Sequence, residues 1–200
     1  MKKYPDELCR LVIDNMEIIE EAPNVVEHVQ EKLFKAINER IEQVTARENW
    51  RRCCELCTGD EDKTYFSPGE WFDDAIEYLA RYKLSYNEAG EDLYWLSNAI
   101  GVNGSTLYLQ FSPEKSLSGL KPKEHKKRVQ EFYTATPALA EAGFQLDSEG
   151  NISLPFNLDA AKTAEEYPDF DEALAPLDTA LETLFRVHND FDGFVKSFPR

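Results

Sequence analysis

The chain has no apolar run approaching the ~20 residues that a membrane-crossing helix needs, so no helical span is expected within its 200 residues. Its first residues, Met1-Lys2-Lys3-Tyr4-Pro5-Asp6-Glu7, turn acidic before any apolar segment begins and do not read as a secretory signal. Cysteine is scarce: Cys9 stands alone, while Cys53, Cys54 and Cys57 crowd into Cys-Cys-Glu-Leu-Cys. Such crowding makes a poor disulfide framework, and the expected setting is a reducing cytoplasm. Zinc would need a fourth ligand, and no second Cys-x-x-Cys or His-x-x-x-His supplies one. Buried thiols or a redox-sensitive pair of Cys54 and Cys57 remain open.

Motifs for catalysis are missing as well. Gly101-Val102-Asn103-Gly104-Ser105-Thr106 is rich in turn residues but lacks the lysine of a phosphate-binding loop. Gly-x-Ser-x-Gly is absent, which weakens a hydrolase reading. Glu61-Asp62-Lys63 and Glu124-His125-Lys126 have the spelling of a metal-dependent nuclease, but one sits in an expected loop and the other on an expected helix. The acidic clusters Asp169-Phe170-Asp171-Glu172 and His188-Asn189-Asp190-Phe191-Asp192 lack the twelve-position spacing of a calcium loop. His188, Asp190 and Asp192 are the best candidates for a metal or catalytic role, yet the expectation is of no cofactor, no metal site and no catalytic residue.

What is present reads as an α+β chain. Tyr82, Leu84 and Tyr86 alternate with polar residues, the period-2 pattern of a half-buried strand. Asn103-Gly104 between the β-prone runs Leu93 to Val102 and Thr106 to Phe111 predicts a hairpin turn, because both residues tolerate positive φ. That register pairs Ile100 with Leu107 and Leu96 with Phe111, with Asn98 as the one polar residue on the buried face. The other face would carry Trp95 and Tyr108. A second hairpin is expected at 144–156, with Gly150 left-handed and Leu146 opposite Ile152. Pro155 implies an edge or a strand end.

Helices flank this sheet. Residues 5–21 and a second helix from Asn24 are expected to form a hairpin separated by Pro23, the second presenting Val25, Val29, Leu33, Ile37, Ile41 and Val44 as a stripe. Ser67-Pro68-Gly69-Glu70 reads as a capping box that starts a helix. Pro122, Thr136-Pro137 and Asp159 mark further helix starts, and the last helix is expected to be interrupted at Asn189-Asp190. The expected organisation is a single α+β domain. Residues 1–48 form the helical hairpin, 64–156 an antiparallel sheet of a meander plus a second hairpin, and 159–198 the C-terminal helices.

The formal charge is -16, with Asp and Glu numbering 38 against 22 Lys and Arg. This disfavours nucleic acid and anionic membranes and suits a basic protein partner. The first functional expectation is a noncatalytic acidic binding protein of inhibitor, immunity, antitoxin or adaptor type, using an aromatic sheet face of Tyr82, Tyr86, Trp95 and Tyr108. The alternative is an enzyme or binding domain for a phosphorylated or nucleotide ligand. It would use the one basic stretch, with Lys121, Lys123, Lys126, Lys127 and Arg128 as the anion-binding candidates.

Overall fold

A computed structural model describes residues 4–48, 50–55, 63–72, 78–86, 94–114 and 121–198. Helices α1 (Asp6–Asp14) and α2 (Met16–Arg47) lead into strands β1 (Trp50–Glu55), β2 (Lys63–Pro68) and β3 (Ala80–Tyr86). Then follow α3 (Trp95–Ala99), β4 (Leu107–Pro113), α4 (Pro122–Ala135), α5 (Pro137–Glu141), the hairpin β5 (Gln145–Leu146) and β6 (Ile152–Phe156), α6 (Ala160–Glu165) and α7 (Ala175–Lys196). The six strands form one antiparallel sheet in the order β1-β2-β3-β4-β6-β5. A four-strand meander and a second hairpin therefore share a single sheet.

Register decides which side chains enter the core. Tyr82 lies opposite Phe111, Leu84 opposite Leu109, and these in turn face Ile152 and Leu154 across β6. One face is thus mostly apolar, with Thr64 bonded to Asn38 of α2 at 3.0 Å, and α2 and α7 cover it. α2 contributes Leu33, Phe34, Ile37 and Ile41, and α7 contributes Leu177, Leu181, Leu184, Phe191 and Phe194. Phe191 packs on Phe111 with ring centroids 4.5 Å apart and also meets Tyr82, Phe132 and Phe144. The opposite face carries Lys83, Gln110 and Ser153 in one transverse row.

The expected strand from Leu93 to Val102 is instead the helix α3, followed by a tight turn at Val102–Gly104. Trp95, Asn98 and Ala99 are its buried residues, and their i, i+3, i+4 spacing is helical. Trp95 packs edge-on against Phe34 of α2 at 5.3 Å, so tertiary contact overrides β propensity. The Asn103-Gly104 hairpin and its register accordingly do not form; β4 pairs with β3 and β6. Asn98 is buried as expected, but on a helix, and its Oδ1 has no hydrogen-bond partner among the described residues.

Other boundaries move for equally local reasons. α2 runs through Pro23, and the break between the two N-terminal helices falls at Asn15, whose side-chain amide donates to the Leu11 carbonyl. Ser67 does not cap a helix: it is buried in β2, paired with Arg51, and only a short turn at Gly69–Trp71 follows. α7 passes through Asn189-Asp190 without interruption, because Val187, Phe191, Phe194 and Val195 continue its buried stripe. The second hairpin has the expected register, with Leu146 opposite Ile152 and Gly150 at φ 87°. β5 is too short to reach Pro155, which leaves that side of β6 open as a proline requires. Asp159 caps α6 by accepting from the Lys162 amide at 2.8 Å. Cys57 and the expected loops at 59–62 and 87–91 lie outside the described residues.

Candidate functional site

The most unusual surface is the N-terminal arm. α1 buries no residue, and α2 buries none before Leu33. Leu11 is 60% exposed, Ile13 70% and Ile18 67%, with Leu8, Val12, Met16 and Ile19 also exposed. Leu8, Val12, Met16 and Ile19 follow one another at helical spacing, and the same stripe continues through half-buried Val26 and Val29 into the buried Leu33, Ile37 and Ile41. The face that packs α2 on the sheet thus runs on past the sheet with nothing covering it among the described residues. Asp6, Glu7, Asp14, Glu17, Glu20 and Glu21 border it, against Arg10 as the sole cation between residues 4 and 25.

A second cluster forms where β1, β3, the turn after β2 and α7 meet. The hydroxyl of the fully buried Tyr82 lies 2.9 Å from Nδ1 of the half-buried His188. Burial pushes the Tyr82 phenol well above its ordinary value, with the Asp192 charge adding to the effect. The phenol therefore keeps its proton and can donate it to a neutral Nδ1, the arrangement in which the histidine proton sits on Nε2. Burial holds His188 below its ordinary value, against the opposing pull of Asp192 and Glu70. Its ring sits between Trp50 and Trp71, at 4.6 and 5.1 Å. Beside it, Trp71 Nε1 donates to Asp192 at 3.0 Å, and Lys196 bridges Asp192 at 2.7 Å and Glu70 at 3.3 Å. Burial works against the charge on Asp192, but the bonds from Lys196 and Trp71 outweigh it and hold the carboxyl below the usual range.

The sequence pointed to His188 and Asp192 together, and the structure brings them together, one helical turn apart. Asp190 points away, lining a shallow groove with Arg128 and Phe132. Among the described residues no three His, Cys, Asp or Glu side chains converge as a metal site would. These contacts tie α7 to the sheet and to the turn after β2.

The four aromatic candidates are dispersed. Tyr82 is fully buried in the core and Trp95 is buried against α2, so neither lies on an accessible sheet face. Tyr86 and Tyr108 do reach a groove of about 560 Å³ on the sheet face opposite the helices, over Lys83, Gln110 and Ser153. The basic candidates all lie on or beside α4, as expected, but several are occupied. Arg128 donates to the Ser197 carbonyl at 2.7 Å and covers the Phe198 ring, Lys127 pairs with Glu131 at 3.4 Å, and Lys126 packs beside Gly150. Lys121 and Lys123 are exposed at the start of the helix. The sequence missed the groove because its register assigned β4 the wrong neighbours. The arm it read as one side of a packed hairpin.

No family model, curated protein or solved structure matches this chain.

Proposed function

We propose that the chain is a noncatalytic binding protein of the cytoplasm that recognises a basic protein partner, in the manner of an inhibitor, immunity factor, antitoxin or adaptor. The N-terminal arm carries this reading. Large apolar side chains left in water are costly, at about 25 cal/mol for each Å², and an apolar stripe that continues a buried face signals a missing partner. The acidic border around it favours a basic partner. A second copy of the arm would set Glu17, Glu20 and Glu21 against like charges, whereas a segment with Lys and Arg beside its apolar residues gains at each contact. An amphipathic basic helix fits both features. The phosphate-ligand reading has less support, since Arg128 and Lys127 are paired within the protein.

The test is capture from the native host with Leu11→Ser/Ile19→Ser as control. A basic protein held by the unmodified chain, released by raised salt and not held by the variant, is the expected result. Capture that survives both changes, or self-association through the arm in sedimentation, counts against it.

A further inference from the structure

We infer that the N-terminal arm takes a pair of partner helices, so that arm and partner form a three-helix bundle; the inference rests on the basic-partner reading above. The sequence of the arm repeats every seven residues. Val12, Ile19, Val26 and Leu33 form one apolar series, and Leu8, Ala22 and Val29 form a second, broken only by Asn15 at the junction of α1 and α2. A seven-residue apolar repeat is the signature of helices that pack lengthwise on one another. With the first series at position a of a heptad abcdefg, the second falls at d. Position g then carries Leu11, Ile18 and Val25, and position e holds no Asp, Glu, Lys or Arg from Cys9 through Met16 to Gln30.

Those outer positions decide the number of helices. A helix that meets one neighbour needs only the narrow a and d seam, and its e and g positions are commonly Glu and Lys. Here g is the most exposed part of the stripe, with Leu11 60%, Ile18 67% and Val25 54% exposed against 40% for Val12 and Ile19. At about 100° per residue, the arc from g through d and a to e spans about 160°, too wide for one helix to cover and the width that two neighbours share. The buried half of the same helix already has this arrangement. Gln30 and Phe34 meet α3, by a 3.2 Å bond from the Leu96 amide and the 5.3 Å contact with Trp95, while Arg40 meets α7 at Asp178, 3.0 Å away. Nothing among the described residues continues either neighbour along the arm.

The acids stand where each partner helix brings its own flank. Position c, beside g, holds Glu7, Asp14 and Glu21, and position b, beside e, holds Asp6, Glu20 and Glu27. Basic residues bordering the apolar seam of each partner helix face one of these rows, whereas three copies of the arm would set the b row of each against the c row of the next. From Leu8 to Val29 the stripe runs about 32 Å at about 1.5 Å per residue, so each partner helix needs about 20 residues.

The experiment presents the full chain with three designed probes. The first is a helix of about 20 residues with leucine along one face and lysine on both flanks. The second joins two such helices by a short glycine loop into a hairpin, and the third is that hairpin with glutamate in place of lysine. Fluorescence anisotropy gives the affinity and sedimentation equilibrium the stoichiometry. The lysine hairpin should bind one to one and about tenfold or more tighter than the single helix, which should saturate at two per chain. Ile18→Ser/Val25→Ser alters only exposed g positions and should remove that advantage, whereas a one-neighbour seam at a and d would be indifferent to it. The helix pair is overturned by a single helix that saturates at one per chain with the hairpin's affinity, by a hairpin that binds the double variant as well as the parent, or by no binding of either lysine probe; each of these leaves the basic partner to be judged by the capture experiment. Equal one-to-one binding of the glutamate hairpin supports the helix pair and counts against the basic partner instead.

Discussion

Replacing Tyr82 by Phe removes one oxygen and nothing else. The ring is held by Trp50, Phe66, Trp71, Phe111 and Phe191, with centroids between 5.3 and 5.8 Å, so no cavity opens. What is lost is the 2.9 Å bond to His188 Nδ1. A neutral hydrogen bond contributes about 0.5–1.5 kcal/mol, and an acceptor left unmet in a partly buried place adds to the loss, so a destabilisation of about 1–2 kcal/mol is expected. In a chain of this size that corresponds to a fall in Tm of about 2–8 °C. The pH dependence is more diagnostic. Burial chiefly holds His188 below its ordinary value, so the unfolded chain takes up its proton first. This group's contribution is intact above about pH 6.5 and is lost as the pH falls from there through the folded value. Without the phenol donating to Nδ1, the imidazole protonates more readily in the folded state, so Tyr82→Phe should also flatten stability across that window. Urea unfolding at several pH values, with histidine ring resonances followed by NMR, reads both effects. A variant as stable as the parent, with His188 titrating unchanged, would refute the assignment of donor and acceptor.

Five further variants test the same structure. Arg40 joins α2 to Asp171 and Asp178 at 3.1 and 3.0 Å, and burial raises Asp178 although Arg40 opposes it. Arg40→Ala should cost about 1–2 kcal/mol at neutral pH, and the loss should shrink as the pH falls through the raised Asp178 value, since protonation removes the unpaired charge; urea midpoints compare the two conditions. Asp192→Asn should flatten the acid limb of the stability profile, because the depressed carboxyl contributes above about pH 4 and that contribution is lost as the pH falls through its folded value. Phe191→Ala should cost about 3–5 kcal/mol, whereas Leu11→Ser should stay within about 0.5 kcal/mol, as calorimetry can show. Asn98→Leu should be neutral or stabilising by about 1 kcal/mol in thermal unfolding, because it removes a buried oxygen without a partner among the described residues.

The elements legible in the sequence were those whose signals are local. Gly150, Leu146 and Ile152 encode the second hairpin by turn chemistry and alternation, and Asp159 and Pro122 mark their helices by capping alone. The readings that failed needed a distant partner. Leu93 to Val102 has the composition of a strand, but Phe34 and Gln30, far back in α2, meet Trp95 and Leu96 of the helix that forms there. Ser67-Pro68-Gly69-Glu70 has the letters of a capping box, but β1 claims Ser67 first. The same limit governed the sites. His188 and Asp192 were visible as neighbours on one helix, while Gln110, Lys83 and Ser153 meet only through a register that the mistaken hairpin concealed.

The central claim is that the acid-bordered apolar arm takes a basic partner, and charge reversal tests it most directly. Glu17→Lys/Glu20→Lys/Glu21→Lys alters exposed positions that make no contact with the core, so folding should be unaffected. The account predicts that the basic protein captured by the unmodified chain is lost with this variant, and that its affinity for the unmodified chain falls steeply as salt rises. Undiminished capture by the charge-reversed arm would contradict it.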